Sequence, residues 1–330
     1  MEIRISDSSR GREILQRMHE LSALPGFSIY QELMALNTSI YILDKNFQEL
    51  DTFLLDLLEN PKWDYLFLVE NRHVLHKVSE DIVRRLHNFV AAVLSLRDHT
   101  RRLYSKYYRK GDLIPEYEKI SREAFADNPQ AQFVQKLREY CQHYVSPLLS
   151  FQSAWNSGQE RPVRTAVLRK DELLRFDGWN AAAKQHLNGS PDSIDFLVAM
   201  RNYHSQVLEF YTWFQSHQEQ VHMDELSEFR KKEGELLRVQ LEDKLDRCLT
   251  AKDEQKCSEG SLFFHIFTKP DFEKLALAPN SPGRRLKIAL EILRQRFDVD
   301  AGLEDKLGEA YAMDTFGYYK PAQEDQSAEG

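Results

Sequence analysis

Long apolar runs are missing from this 330-residue chain. No segment approaches the about 20 uninterrupted apolar residues that a membrane-spanning helix needs, so no membrane partner is expected. Cysteine is scarce: Cys141, Cys248 and Cys257 are odd in number and far apart. That speaks against a disulfide framework and for a reducing compartment. The opening residues Met1-Glu2-Ile3-Arg4-Ile5 lack a basic stretch followed by an apolar core. A secretory signal is therefore not expected, and the expected location is cytoplasmic. Gly-rich phosphate loops, a Gly-x-Ser-x-Gly elbow and Cys-x-x-Cys pairs are absent, which disfavours ATPase, α/β-hydrolase and zinc-finger chemistry. His73 and His76 lack the acids of a metal box, so neither metal nor cofactor is expected. Positive charge is also short. A net charge of −8 argues against a protein that coats nucleic acid over its whole surface.

What is present is helical periodicity. An apolar content of 42% with 29% charged residues fits a globular protein, and the length allows one extended domain or two smaller ones. Leu50, Phe53, Leu54, Leu57 and Leu58 follow the i, i+3, i+4, i+7, i+8 spacing of one buried helix face. That helix is expected from about Tyr30 to Asn60, after a shorter one that the breaker pair Pro25-Gly26 ends. A long helix from about Val74 to Tyr108 carries Ile82, Leu86, Phe89, Val93, Leu96, Thr100, Leu103 and Tyr107 on one stripe, with Gly111 as its stop. Asp127-Asn128-Pro129 introduces the next long helix, which Pro147 closes.

The expected fold class is all-α, an elongated multi-helix bundle with a small β-hairpin insertion. Leu148–Trp155 and Val163–Leu168, around Asn156-Ser157-Gly158, form the hairpin. The expected organisation is N-terminal helices over 1–70 and a helical core over 71–250. That core holds the hairpin near 148–168 and a long helix over 193–249, opened by Ser190-Pro191-Asp192-Ser193. A C-terminal helical segment over 251–318 and a disordered tail over 319–330 complete it. Leu237, Leu241, Leu245 and Cys248 form a helix-pairing seam.

Charge is uneven along this frame. Between Arg84 and Lys110 lie Arg84, Arg85, Arg97, Arg101, Arg102, Lys106, Arg109 and Lys110, with Asp98 as the acid on the same stretch. Two readings are open: a solvated helix face, or a local phosphate-binding surface in which Arg97, Arg102 and Lys106 contact RNA. The other chemistry-bearing stretch is Phe133-Val134-Gln135-Lys136-Leu137-Arg138-Glu139-Tyr140-Cys141-Gln142-His143, which puts an arginine and a histidine on one helix. Histidine moves protons near neutral pH, and the planar arginine fork matches phosphate oxygens. The pair therefore suits metal-independent attack of a ribose 2′-hydroxyl on its own phosphate. At roughly 100° per residue the two side chains point about 140° apart, so a second copy across a twofold axis is needed to complete one cleft. Such spacing is common, since Arg12 and His19 also fit an Arg-x(4–6)-His pattern. Ion pairing of Arg138 and a helix-end role for His143 are the alternative readings.

Leu96-Arg97-Asp98-His99-Thr100-Arg101, then Phe125-Ala126-Asp127-Asn128-Pro129, then Phe133 to His143, with Asp171 to Trp179 downstream, form a consistent series. In these segments the chain resembles a widespread set of bacterial helical proteins that carry Leu-Val-x-His-Thr-Arg, Phe-x-x-Asp-Pro and Leu-Arg-Asn-Tyr-x-x-His segments. The Arg-x4-His core of that set is similar to HEPN domains, which include ribonucleases of toxin–antitoxin and anti-phage systems and non-catalytic binding domains. The resemblance spans about Phe89 to Phe214. It implies Arg138 and His143 as catalytic, with Asp98, His99 and Arg101 in support. It further implies RNA as partner, a homodimer, and a protein partner or antitoxin. The family carries Asn, Asp or His after the arginine, whereas this chain has Glu139, a longer acid with the reach to pair with Arg138. A non-enzymatic helical scaffold in a defence or stress complex is the alternative function. For Asp98, His99 and Arg101 the alternative is a polar network tying two helices.

Overall fold

A computed structural model describes residues 9–144, 149–155, 157–158, 160–250 and 257–320, and of Gln142 and His143 the backbone alone. In chain order the helices and strands are α1 Ser9–Ala23, α2 Pro25–Glu59, α3 Arg72–Tyr107, α4 Tyr117–Ser121, α5 Pro129–His143, β1 Leu149–Ala154, β2 Val163–Arg169, α6 Lys170–Leu173 and α7 Ala181–Gly189. They continue with β3 Ser193–Asp195, α8 Phe196–Val221, α9 Met223–Thr250, α10 Glu259–Phe263, α11 Lys269–Ala276, α12 Pro282–Leu293 and α13 Ala301–Tyr311. The fold is all-α with one small antiparallel sheet, as the periodicity required. Among the described residues no helix is long and apolar enough to cross a membrane. Two compact units are present: Met1–Tyr30 with His222–Gly330, and Gln31–Val221. Unlike the sequential segments expected from the sequence, the first unit groups α1 with α9 and the C-terminal helices.

In the Gln31–Val221 unit, two heptad seams set the packing. Leu36, Leu43, Phe47, Leu50, Leu54 and Leu57 of α2 are buried at alternating spacings of three, four and seven, and Ile82, Leu86, Phe89, Val93, Leu96, Thr100 and Leu103 of α3 repeat the pattern. The two helices run antiparallel. Ser39 meets His99 and Phe47 lies 5.6 Å from Phe89, so one number rises as the other falls. On α8, Phe196, Met200, Tyr203, Val207, Phe210, Tyr211 and Phe214 form one buried face. Arg201 pairs with Asp51 and His204 with Asp44, so α8 also opposes α2. α5 lies parallel to α8, with Gln130 donating to Ala199 O and Gln135 to the Tyr203 hydroxyl.

Several boundaries moved for identifiable reasons. Pro25-Gly26 opens α2 instead of leaving a gap: proline suits a first helical position, where no backbone donor is needed. A Cβ on Gly26 would lie 2.2 Å from Glu225 O, so this glycine permits a close approach to α9. The expected helix over 193–249 is corrected. Ser193–Asp195 pairs with β2 as a third strand, Asp195 Oδ1 caps α8 by accepting from Val198 N, and the helical run is interrupted at His222. The stretch from Lys170 to Gly189 is two helices, with Asn180 capping the second through Ala183 N. Pro147 and residues 321–330 of the expected tail lie outside the described residues, whereas the Tyr319 amide is engaged with Glu259.

In the other unit the C-terminal helices enclose a charge pair. Glu259 and Arg285 are 0% and 1% exposed and joined by two hydrogen bonds of 2.8 and 2.6 Å. The carboxylate also accepts from the Tyr311 hydroxyl at 3.0 Å and the Tyr319 amide at 2.8 Å, while Arg285 donates to Ala278 O and Tyr319 O. Cys248 and Cys257 correct a second expectation. They form a disulfide with Cα atoms 5.5 Å apart, joining the end of α9 to the start of the C-terminal helices. Cys141 is the free cysteine, its thiol pushed up to about 12 by burial.

Two outcomes follow. Glu259→Gln should destabilise by about 3–5 kcal/mol, because it leaves Arg285 buried and uncompensated. Chemical denaturation measures it, and an unchanged midpoint would remove the pair from any structural role. Alkylation in denaturant without reductant should modify Cys141 alone; labelling of all three cysteines would show that Cys248 and Cys257 are thiols in the isolated protein.

Candidate functional site

α5 begins where Asn128 Oδ1 accepts from Ala131 N at 3.0 Å and Pro129 takes the first helical position. Phe133, Val134, Leu137 and Tyr140 bury one face. Tyr140 lies among Trp179, Phe176 and Tyr144, where burial raises its phenol to about 12. Arg138 is half-buried. Its Nε is enclosed without a hydrogen-bond partner, and the residue makes no ion pair among the described residues. The reach of Glu139 toward Arg138 is not used. Both Glu139 carboxylate oxygens accept from Lys136 Nζ, at 2.9 and 2.7 Å. Lys136 lies one turn back on the same face of α5, within the reach of Glu139. His143 is the last residue of α5, and its side chain lies outside the described residues.

The basic stretch of α3 is largely occupied. Arg97 holds the carboxylate of Asp98 at 3.0 Å, and Arg102 and Lys106 grip Glu32 of α2 at 2.7 and 3.0 Å. His99 meets Ser39 Oγ at 2.7 Å. The Ser39 hydroxyl also lies 3.0 Å from Ala35 O, so His99 is tied into the contact between α2 and α3. Asp98, His99, Arg102 and Lys106 thus join a network within and between α2 and α3. Arg101 is different. It has no carboxylate partner among the described residues, and its charge acts on the phenols of Tyr117 and Tyr211.

Arg97, Thr100, Arg101, Tyr104 and Ser105 form one i, i+3, i+4, i+7, i+8 stripe of α3, and this stripe lines a cavity of about 740 Å³. The opposite walls are Tyr117 of α4, Phe125, Gln132 and Gln135 of α5, and Tyr203, Val207, Phe210 and Tyr211 of α8. Residues Arg122–Ala126 beside it form a π-helix, a wider turn that recurs at functional sites, and Glu116 just before α4 takes a left-handed φ of 65°. Tyr104 and Tyr117 stack with centroids 3.7 Å apart, and Phe125 meets Phe210 edge-on at 5.0 Å. Burial raises the phenols of Tyr203 and Tyr211, and that of Tyr117 to about 12, so all three are protonated donors at neutral pH. Thr100 gives its proton to Leu96 O at 2.7 Å, which leaves Tyr211 to donate to Thr100 Oγ1 at 2.6 Å. Around the mouth, Lys119 faces Glu116, Arg122 faces Asp127 and Arg109 faces Glu118.

Of the residues singled out in the sequence, the fold brings Arg97 and Arg101 together at this cavity. Arg138, His99, Arg102 and Lys106 do not line it. Gln132, Gln135, Tyr203, Phe210 and Tyr211 were missed as site residues. The half-polar stripe through Thr100 and Arg101 was the readable signal for a lined cavity, whereas the α8 aromatics look like core in any periodicity. No family model, curated protein or solved structure matches the chain.

Removing one partner of the buried hydroxyl pair strands the other, at about 1–3 kcal/mol. Thr100→Val should therefore lower stability by that much in urea unfolding, with much of it recovered by adding Tyr211→Phe. Full additivity of the two losses would show that the hydroxyls are not coupled.

Proposed function

We propose that this protein binds RNA and cleaves it without metal, in the manner of HEPN ribonucleases, as a homodimer. The observation that carries the reading is the state of Arg138. It is a half-buried guanidinium with an enclosed, unbonded Nε and no carboxylate partner among the described residues, while its acidic neighbour Glu139 is held by Lys136. An arginine left without a partner in such a position is available to a phosphate, whose oxygens the guanidinium fork matches. Arg138 binds and neutralises the scissile phosphate, and His143 moves the proton. The twofold-related helix supplies the complementary residue type, because one helix directs the two side chains about 140° apart. Asp98, His99 and Arg101 play supporting parts through α3, and Arg97, Arg102 and Lys106 extend the RNA contact by exchanging their carboxylate partners for phosphates. The setting is cytoplasmic, with a toxin or anti-phage role restrained by a protein partner. In that compartment Cys248 and Cys257 would stand as adjacent thiols.

A second reading, a non-enzymatic scaffold, is favoured by the ion pairs that already occupy Arg97, Arg102 and Lys106. RNA digestion in EDTA separates the two. Wild type should release products with 2′,3′-cyclic phosphate ends, and folded Arg138→Ala and His143→Ala variants should lose at least about 100-fold in rate. Wild-type protein that is folded, dimeric and inert would favour the scaffold, and cleavage that survives both substitutions would dismiss the assignment of the two residues.

A further inference from the structure

We infer that the cavity among α3, α4, α5 and α8 is a nucleotide site, taking a planar base against its aromatic walls and the attached phosphate on Arg101. The inference shares Arg97 and Arg101 with the cleavage reading but does not rest on it, since Arg138 does not line this cavity.

The lining demands a ligand with two unlike parts. A volume of about 740 Å³ bounded by Tyr104, Tyr117, Phe125 and Phe210 is more than an inorganic anion needs, and it favours a flat apolar body. A purely apolar guest leaves the cations at the mouth without a purpose. Most of those cations are already matched, Arg97 by Asp98, Lys119 by Glu116 and Arg122 by Asp127. Arg101 alone of these lining cations has neither an ion pair nor a hydrogen bond among the described residues, and its charge reaches the phenols of Tyr117 and Tyr211.

Inside, a second observation points to the same ligand. Gln135 spends its amide N–H on the Tyr203 hydroxyl at 3.3 Å. The Tyr203 proton and the Gln135 carbonyl oxygen then have no acceptor or donor among the described residues, although Tyr203 is 1% exposed. A donor and an acceptor side by side on an aromatic wall match the edge of a nucleobase, which presents both. Stacking and one phosphate contact supply the rest.

The chemistry is shared by a free mononucleotide and by an unpaired nucleotide in an RNA strand, so both are used as probes. Calorimetric titration with AMP, GMP, CMP and UMP should detect at least one with a Kd below about 1 mM, and inorganic phosphate should bind more weakly. Arg101→Glu and the exposed, mouth-blocking Ser105→Trp should each weaken that binding by at least about tenfold, while Lys231→Ala, an exposed residue that does not line the cavity, leaves it unchanged. A tetranucleotide that binds more tightly with the same sensitivity identifies the strand as the source; equal or weaker binding identifies the free nucleotide. Absence of binding by all four mononucleotides and the tetranucleotide, or wild-type affinity in both cavity variants, overturns the inference.

Discussion

Buried phenols are the constraint on which the central unit depends. Tyr203 and Tyr211 sit on the inward face of α8, at 1% and 4% exposure, and each hydroxyl oxygen is engaged by a polar side chain of another helix, since a buried hydroxyl with no hydrogen bond loses its hydration without return. Thr100 of α3 answers Tyr211, and Gln135 of α5 answers Tyr203. Those two contacts set the register of α8 against two other helices at once. Dispersion and area burial along the heptad seams hold the helices together but tolerate sliding by a turn; the hydroxyl partners do not. The same contacts leave polar atoms within an aromatic enclosure, so the need to satisfy the core also shapes the cavity.

The second unit solves a different problem with charge. Its C-terminal helices are short, between five and twelve residues, too short to be stable alone. Glu259 at the start of α10, Arg285 in α12 and Tyr311 in α13 converge with the Tyr319 amide, so four separate segments share one network. A buried pair is weak evidence for added stability, but with its oxygens and nitrogens matched it specifies one arrangement and penalises others. The Cys248–Cys257 link shortens the connection from α9 into the same assembly.

Electrostatics also decides how the basic surface of α3 is to be read. Arg102 and Lys106 are largely exposed and share Glu32, and exposed pairs are weak and screened by salt. Their occupation is therefore no barrier to a competing phosphate. Arg138 is a different case, half-buried with an enclosed Nε that has no hydrogen-bond partner among the described residues, an arrangement that costs stability. Arg101 is exposed, and a charge without an ion pair among the described residues costs little where water hydrates it.

Legibility in the sequence followed the range of the physics. Helices α2, α3 and α5 and the hairpin were readable because their signals are local: Leu and Phe at heptad spacing, Asn128-Pro129 at a helix start, a glycine turn between two apolar runs. The third strand was not readable, since three residues carry no period and Ser190 to Ser193 mimic a cap that Asp195 provides in fact. The sequence offered Glu139 to Arg138, whereas Lys136 takes it, and the odd count of cysteines hid the approach of Cys248 to Cys257. By itself the sequence determined the all-α class, the long apolar stripes and the candidate pair on α5, all consequences of spacing along one helix. Tertiary structure alone decided the two units, the buried Glu259–Arg285 pair and the cavity that gathers Arg101, Gln135, Tyr117 and Tyr203. These depend on which faces meet, and that is settled by long-range packing and by the need to partner buried polar groups.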